Sequence, residues 1–232
     1  MADAVVADGE HVVVELLAQP EFIKVVRVSG TKKERLGKVT FSLQGAIGRP
    51  FGAVYEVDRG RLIPKHASGE DTIDALVEEG NLEKGADNRH LRDDRGHQGM
   101  SSTQIYDLKQ QGAKREHVIK QIVESSKTFK SKTEYSQAKY LARKKRQHLT
   151  DVRVLKPTLP TLWRVYSQKA PQKICFMRND ALAMLLLRAN VRAGGRFLVM
   201  DTCNGLVAAA MAQRVAAVEE PKTLNLLQFL GH

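Results

Sequence analysis

Between Glu10 and Pro64 the apolar residues fall into short runs, HVVVELL, FIKVVRV, KVTFSL, FGAVYEV and RLIP. Runs this brief, rich in β-branched residues, are strand-length rather than helix-length. The breaks between them, SGTKKERLG, GAIGRP and DRG, hold the glycine, proline and polar residues that turns require. The pattern predicts a small antiparallel β-barrel over residues 1–65. From Lys65 to Gly99 apolar positions thin out and charges crowd in, which predicts a polar loop, disordered in part between His66 and Gly85.

The periodicity changes at Ser101. SSTQ can form a capping box, Ser101 with Gln104, ahead of a helix IYDLKQQG that Gly112 closes. AKREHVIKQIVESS follows, with Val118, Ile119, Ile122 and Val123 on one face, and a third helix runs from about Thr133 to His148. Loop and helices together form a connector over residues 66–149. DVRVLKP reads as a strand stopped by Pro157, whereas TLWRVYSQ suits helix and strand alike. From Ile174 the chain predicts a helix NDALAMLLLRAN capped by Asn179 or Asp180, a turn RAGGR, a strand FLVMD and a helix from about Leu206 to Val215. That order opens a doubly wound sheet. The fold class is therefore α/β: a barrel, a helical connector, then an incomplete Rossmann-like domain over residues 150–232, to which PKTLNLLQFLGH adds one strand or helix.

Charge narrows the function. The 232 residues hold 37 Lys and Arg against 26 Asp and Glu, a net charge of +11. A clustered surplus of this size favours a polyanion, nucleic acid first, over a merely solvated basic surface. No apolar run reaches the roughly 18 to 20 residues of a membrane span. The opening MADAVVADGE lacks the basic and apolar regions of a secretory signal, so neither membrane nor export is expected. Cys175 and Cys203 have no metal-like spacing and are expected as reduced thiols.

Four stretches carry candidate chemistry. In KYLARKKRQH, five cations, Lys139, Arg143, Lys144, Lys145 and Arg146, share about two helical turns. Lys139, Arg143 and Arg146 share one face, and Tyr135, Ala138 and Leu141 are expected roughly opposite as its anchor. Such a strip suits RNA phosphates; a solvated face or a nuclear-targeting patch is the other reading. DNRHLRDDRGHQ sets Arg89, Arg92 and Arg95 among aspartates and His90 and His97. With no regular element to hold its histidines, it reads as an RNA-contacting or idle loop and not as a metal site. QKAPQKICFMR places Lys169, Lys173 and Arg178 around a proline turn, where they could line a cleft. FLVMDTCNGLVAAAMAQRV has the outline of a nucleotide-binding turn yet keeps only Gly205 between Asp201 and the helix. No nucleophile motif, zinc motif or P-loop occurs, so no catalytic residue is assigned.

The phrases DNRHLRDD, SSKTFKSKTEYSQAKYLARKKRQH, VLKPTLPTLW and KICFMRNDALAMLLLRANVRAGGRFLVMDTCNGLVAAAM resemble one family, the non-catalytic subunit of the eukaryotic tRNA adenine-58 N1-methyltransferase. The likeness spans most of residues 10–215. It implies a nuclear heterotetramer of two such subunits and two catalytic subunits, each with an N-terminal barrel and a methyltransferase-like domain. In the catalytic paralogue an acid precedes a GxGxG-type loop that holds S-adenosylmethionine. Here Asp201 takes the acid's place, but Cys203 and Val207 stand where the first and third glycines belong. A Cβ then intrudes where the backbone should approach the cofactor, and valine resists positive φ. The resemblance thus implies a packing turn, no cofactor of its own, and S-adenosylmethionine on the partner.

The resemblance also gives the basic stretches the task of gripping tRNA while the partner acts on an extruded base. It carries that role onto Asn88, Arg89, His90, Arg92, Arg95 and Gln98; onto Lys139, Tyr140, Arg143, Lys144, Lys145 and Arg146; and onto Lys169, Lys173 and Arg178. Family members run on beyond residue 232, which implies an unfinished sheet here. Two other readings stand beside it: a stand-alone basic RNA-binding or translation-associated protein, and a self-sufficient methyltransferase, which the depleted turn disfavours.

Overall fold

The computed structural model of the chain describes residues 4–65, 99–111, 113, 115–129, 132–216 and 228–229. The expected polar loop and the stop at Gly112 lie outside the described residues. The chain forms two compact units, one of Met1–Leu16, Pro20–Pro64 and Val152–His232, the other of Leu17–Gln19 and Lys65–Asp151.

In the first unit seven strands make a nearly closed, barrel-like sheet: β1 (His11–Leu16), β2 (Gln19–Arg27), β3 (Lys33–Leu36), β4 (Val39–Ser42), β5 (Val54–Asp58), β6 (Arg61–Pro64) and β7 (Asp151–Leu155), in the order β2-β1-β7-β5-β6-β4-β3. Each short apolar run of the first 64 residues supplies strand, but so does KERL, inside the stretch SGTKKERLG expected as a break: Glu34 and Leu36 are buried and Lys33 and Arg35 exposed, an alternation that suits its pairing with β4. The pairing is mostly but not wholly antiparallel, because β4 meets β6 in parallel at Ser42 and Arg61. DVRVL, which the sequence pattern put at the head of the C-terminal segment, instead fills the place between β1 and β5. Its residues pair with β1 from Val13↔Leu155 to Leu16↔Val152.

β1 is buried on both faces, and its sequence requires that. Val12, Val14 and Leu16 face the barrel core with Phe41, Tyr55, Val152 and Val154, while Val13 faces outward against Ile23 and Val165. Val165 belongs to helix α4 (Leu159–Lys169), so TLWRVYSQ is helical. Its Leu162 and Val165 pack on the barrel, whereas Leu159, Trp163 and Tyr166 pack into a second core. Glu15, buried beside Val13, is neutralised by Arg164 of α4 and by Arg153 Nε at 3.3 Å.

That second core gathers Ile174, Leu182, Leu186, Val191, Val199, Leu206 and Met211. Helix α5 (Asn179–Arg188), strand β8 (Val199–Met200) and helix α6 (Leu206–Val215) contribute to it, and strand β9 (Gln228–Phe229) follows in the chain. β8 and β9 pair in parallel, Val199↔Gln228 and Met200↔Phe229. The N-cap of α5 is Arg178, not Asn179 or Asp180, and no side chain caps it; the Asp180 carboxylate instead accepts from the Ala181 N–H at 2.9 Å.

The second unit holds helices α1 (Ser102–Gln110), α2 (Arg115–Glu124) and α3 (Glu134–His148). Gln104 N donates to Ser101 Oγ at 3.2 Å and Ser101 N to Gln104 Oε1 at 2.9 Å, the reciprocal box expected of SSTQ. Val118, Ile119 and Ile122 are buried and Val123 is half-buried.

Candidate nucleic-acid interface and the turn after β8

Helix α3 positions the basic strip. It is held from one side by Gln137, 1% exposed, and Leu141, 2% exposed, one turn apart. Gln137 Nε2 also donates to the Lys132 carbonyl at 2.8 Å, tying the helix to the turn that precedes it. The opposite face carries Lys139, Arg143 and Arg146, all exposed as the spacing predicts. The anchor differs from expectation. Leu141 is buried, but Tyr135 and Ala138 are exposed, because they lie only about 40° and 100° around the helix from Lys139, against about 160° for Leu141, and Gln137 takes the buried position.

Tyr140 sits on the flank between the two faces, half-buried. Its ring lies 5.6 Å from that of Phe129, tilted by 54°. The ammonium groups of Lys132 and Lys144 stand 5.1 and 5.3 Å from its centroid, within cation–π range. Burial, followed by the charge of Arg143, lowers the pKa of Lys144. An anion brought to this flank would relieve that crowding. Lys132 was not singled out by sequence; its signal was the aromatic three positions before it and the tyrosine eight after it.

In the first unit Lys169 ends α4, Lys173 lies in the 3-10 turn Pro171–Ile174, and Arg178 precedes α5. Burial and then the charge of Lys24 depress the pKa of Lys169. Arg178 grips Asp180 with both arms of its fork, Nε to Oδ1 at 3.0 Å and a terminal nitrogen to Oδ2 at 2.6 Å, a contact that sequence reading missed. Asn88, Arg89, His90, Arg92, Arg95 and Gln98 lie outside the described residues.

The turn after β8 is built around Asp201. This buried carboxylate accepts from the Cys203 N–H at 2.5 Å and, through its other oxygen, from the Ala208 N–H in the first turn of α6 at 2.8 Å. Positive φ falls on Asn204, at 55°, and Gly205, at 81°. Val207 lies inside α6, so the strain expected of a valine in this turn does not arise. Cys203 and Val207 are both buried in the second core. Burial, reinforced by the neighbouring Cys175 thiol and the Asp201 carboxylate, pushes the Cys203 thiol up to about 11. Among the described residues no group of three or more His, Cys, Asp or Glu could hold a metal ion, and no helix is long and apolar enough to cross a membrane.

Comparison with known proteins bears on these features. The family model described as the Gcd10p family matches residues 5–227. A mouse protein named tRNA (adenine(58)-N(1))-methyltransferase non-catalytic subunit TRM6 is 36% identical over 93% of this chain and 42% of its own length. Proteins of the same name from Dictyostelium discoideum and Schizosaccharomyces pombe are 32% and 29% identical, over 91% and 84% of the chain. The chain spans about two fifths of the length of these curated relatives.

Proposed function

Because this chain belongs to the Gcd10p family, we propose that it is a non-catalytic, tRNA-binding part of a tRNA adenine-58 N1-methyltransferase, acting in the nucleus. It positions tRNA for methylation by a catalytic partner, with two copies of each subunit in the assembly. S-adenosylmethionine resides on that partner. The observation that carries this reading is the turn after β8. Asp201 directs both oxygens to backbone N–H groups of its own turn and helix, and the Cys203 and Val207 side chains fill the core beneath. A cofactor loop needs those amides and that close approach to be open to its ligand; here the protein uses them itself.

The parallel β8–β9 pair, with α6 between its strands in sequence, supports the view that this segment is a Rossmann-like piece kept for packing and assembly. The basic face of α3 supports contact with tRNA phosphates; Lys169, Lys173 and Arg178 in the first unit, and the arginines of residues 88–98, are separate candidates for the same role. Isothermal titration of the chain with S-adenosylmethionine, run beside a tRNA-binding assay, tests the division of labour. tRNA binding without cofactor heat is expected. Micromolar cofactor binding by the chain alone, or methyl transfer to tRNA without a partner, would overturn it.

A further inference from the structure

Helix α3 carries two tyrosines in different settings. The Tyr140 ring is engaged by Phe129, Lys132 and Lys144. Tyr135, five residues earlier, is 77% exposed. Its position is ordered by the helix: Tyr135, Lys139, Arg143 and Arg146 follow one another at intervals of four, four and three residues. They therefore form one stripe, within about 80° of the helix circumference and along about 16 Å of its axis. The helix contains a single acid, Glu134, at its first turn. Gln137 and Leu141 anchor α3 from the other side, so the phenol ring contributes little to folding.

An exposed aromatic ring in line with three cations matches what an unpaired nucleotide offers, a flat base beside a phosphate chain. A duplex keeps its bases stacked on each other and offers only the phosphates. An apolar protein surface would be met by several large apolar side chains, whereas the neighbours of Tyr135 along its stripe are cations. We propose that Tyr135 is a stacking platform for an unpaired RNA base, with Lys139, Arg143 and Arg146 holding phosphates of the same strand. The proposal rests on the reading of α3 as an RNA-binding helix and adds to it a preference for open over paired RNA.

The test uses the full chain with Tyr135→Ala, Tyr135→Trp and a Lys139→Ala, Arg143→Ala, Arg146→Ala triple variant, each checked for helix content by circular dichroism. Fluorescence anisotropy measures binding to a tRNA transcript, an open-loop hairpin and a blunt duplex across a salt series. Tyr135→Ala is expected to weaken tRNA and hairpin binding about 5- to 100-fold while leaving duplex binding and the salt slope unchanged, and Tyr135→Trp to retain wild-type affinity. The triple variant should flatten the salt slope on all three RNAs. If Tyr135→Ala binds every RNA like wild type while the triple variant flattens the slope, stacking is overturned and the RNA-binding helix stands. If neither changes binding, both fall. Loss of association with the catalytic partner at unchanged RNA affinity would assign the ring to a protein interface and overturn the proposal.

Discussion

Asp201 serves as the internal brace of its own turn, and its neighbour Cys203 is sealed into the core beneath it. That burial has a chemical consequence. A thiol pushed up to about 11 carries almost no thiolate near neutrality, and thiolate is the reactive form. With iodoacetamide at pH of about 8, the exposed Cys175 should be alkylated while Cys203 is spared. Cys203 should react only when the pH is raised towards 11 or the chain is unfolded, which peptide mass spectrometry after timed labelling would read. Rapid labelling of Cys203 in the native protein would contradict the buried turn. The scarcity of glycines in this turn was legible in the sequence, but the use made of its amides was not. That depends on where the Asp201 side chain turns, and only the packed structure decides it.

At the scale of elements, α4 explains why TLWRVYSQ matched neither simple period. A helix apolar on one stripe announces itself by i, i+3, i+4 spacing. This one has two stripes, Leu162 and Val165 for the barrel and Leu159, Trp163 and Tyr166 for the second core, and the two patterns overlap. Its docking is oriented by Glu15, which is buried and flanked by Arg153 and Arg164. Glu15→Ala would leave two guanidinium groups facing a site built for a carboxylate, and both are partly solvated, so about 1–3 kcal/mol of stability should be lost. Denaturant unfolding followed through Trp163, the sole tryptophan, would measure it; an unchanged midpoint would mean that apolar contacts alone seat the helix. By contrast, the SSTQ box and the α2 face were legible, because capping and a single apolar stripe are local properties of adjacent turns.

For the whole molecule, the net charge of +11 sets an expectation of salt-sensitive binding to polyanions. Replacing Arg143, Lys144, Lys145 and Arg146 with alanine should weaken tRNA binding and make its log–log salt slope shallower, by about 0.7 to 0.9 for each phosphate that is no longer neutralised. An unchanged slope would show that this strip meets no phosphate. The sequence by itself determined the alternating runs of the barrel, the basic stripe of α3, the depleted glycine turn and the family, because each is written in the order and spacing of neighbouring residues. Tertiary structure alone decided that β7 completes the barrel sheet between β1 and β5, that Gln137 rather than Tyr135 anchors α3, and that Asp201 occupies the amides of its own turn. Strand partners, buried faces and carboxylate contacts depend on residues brought together by folding, and local periodicity carries no record of them.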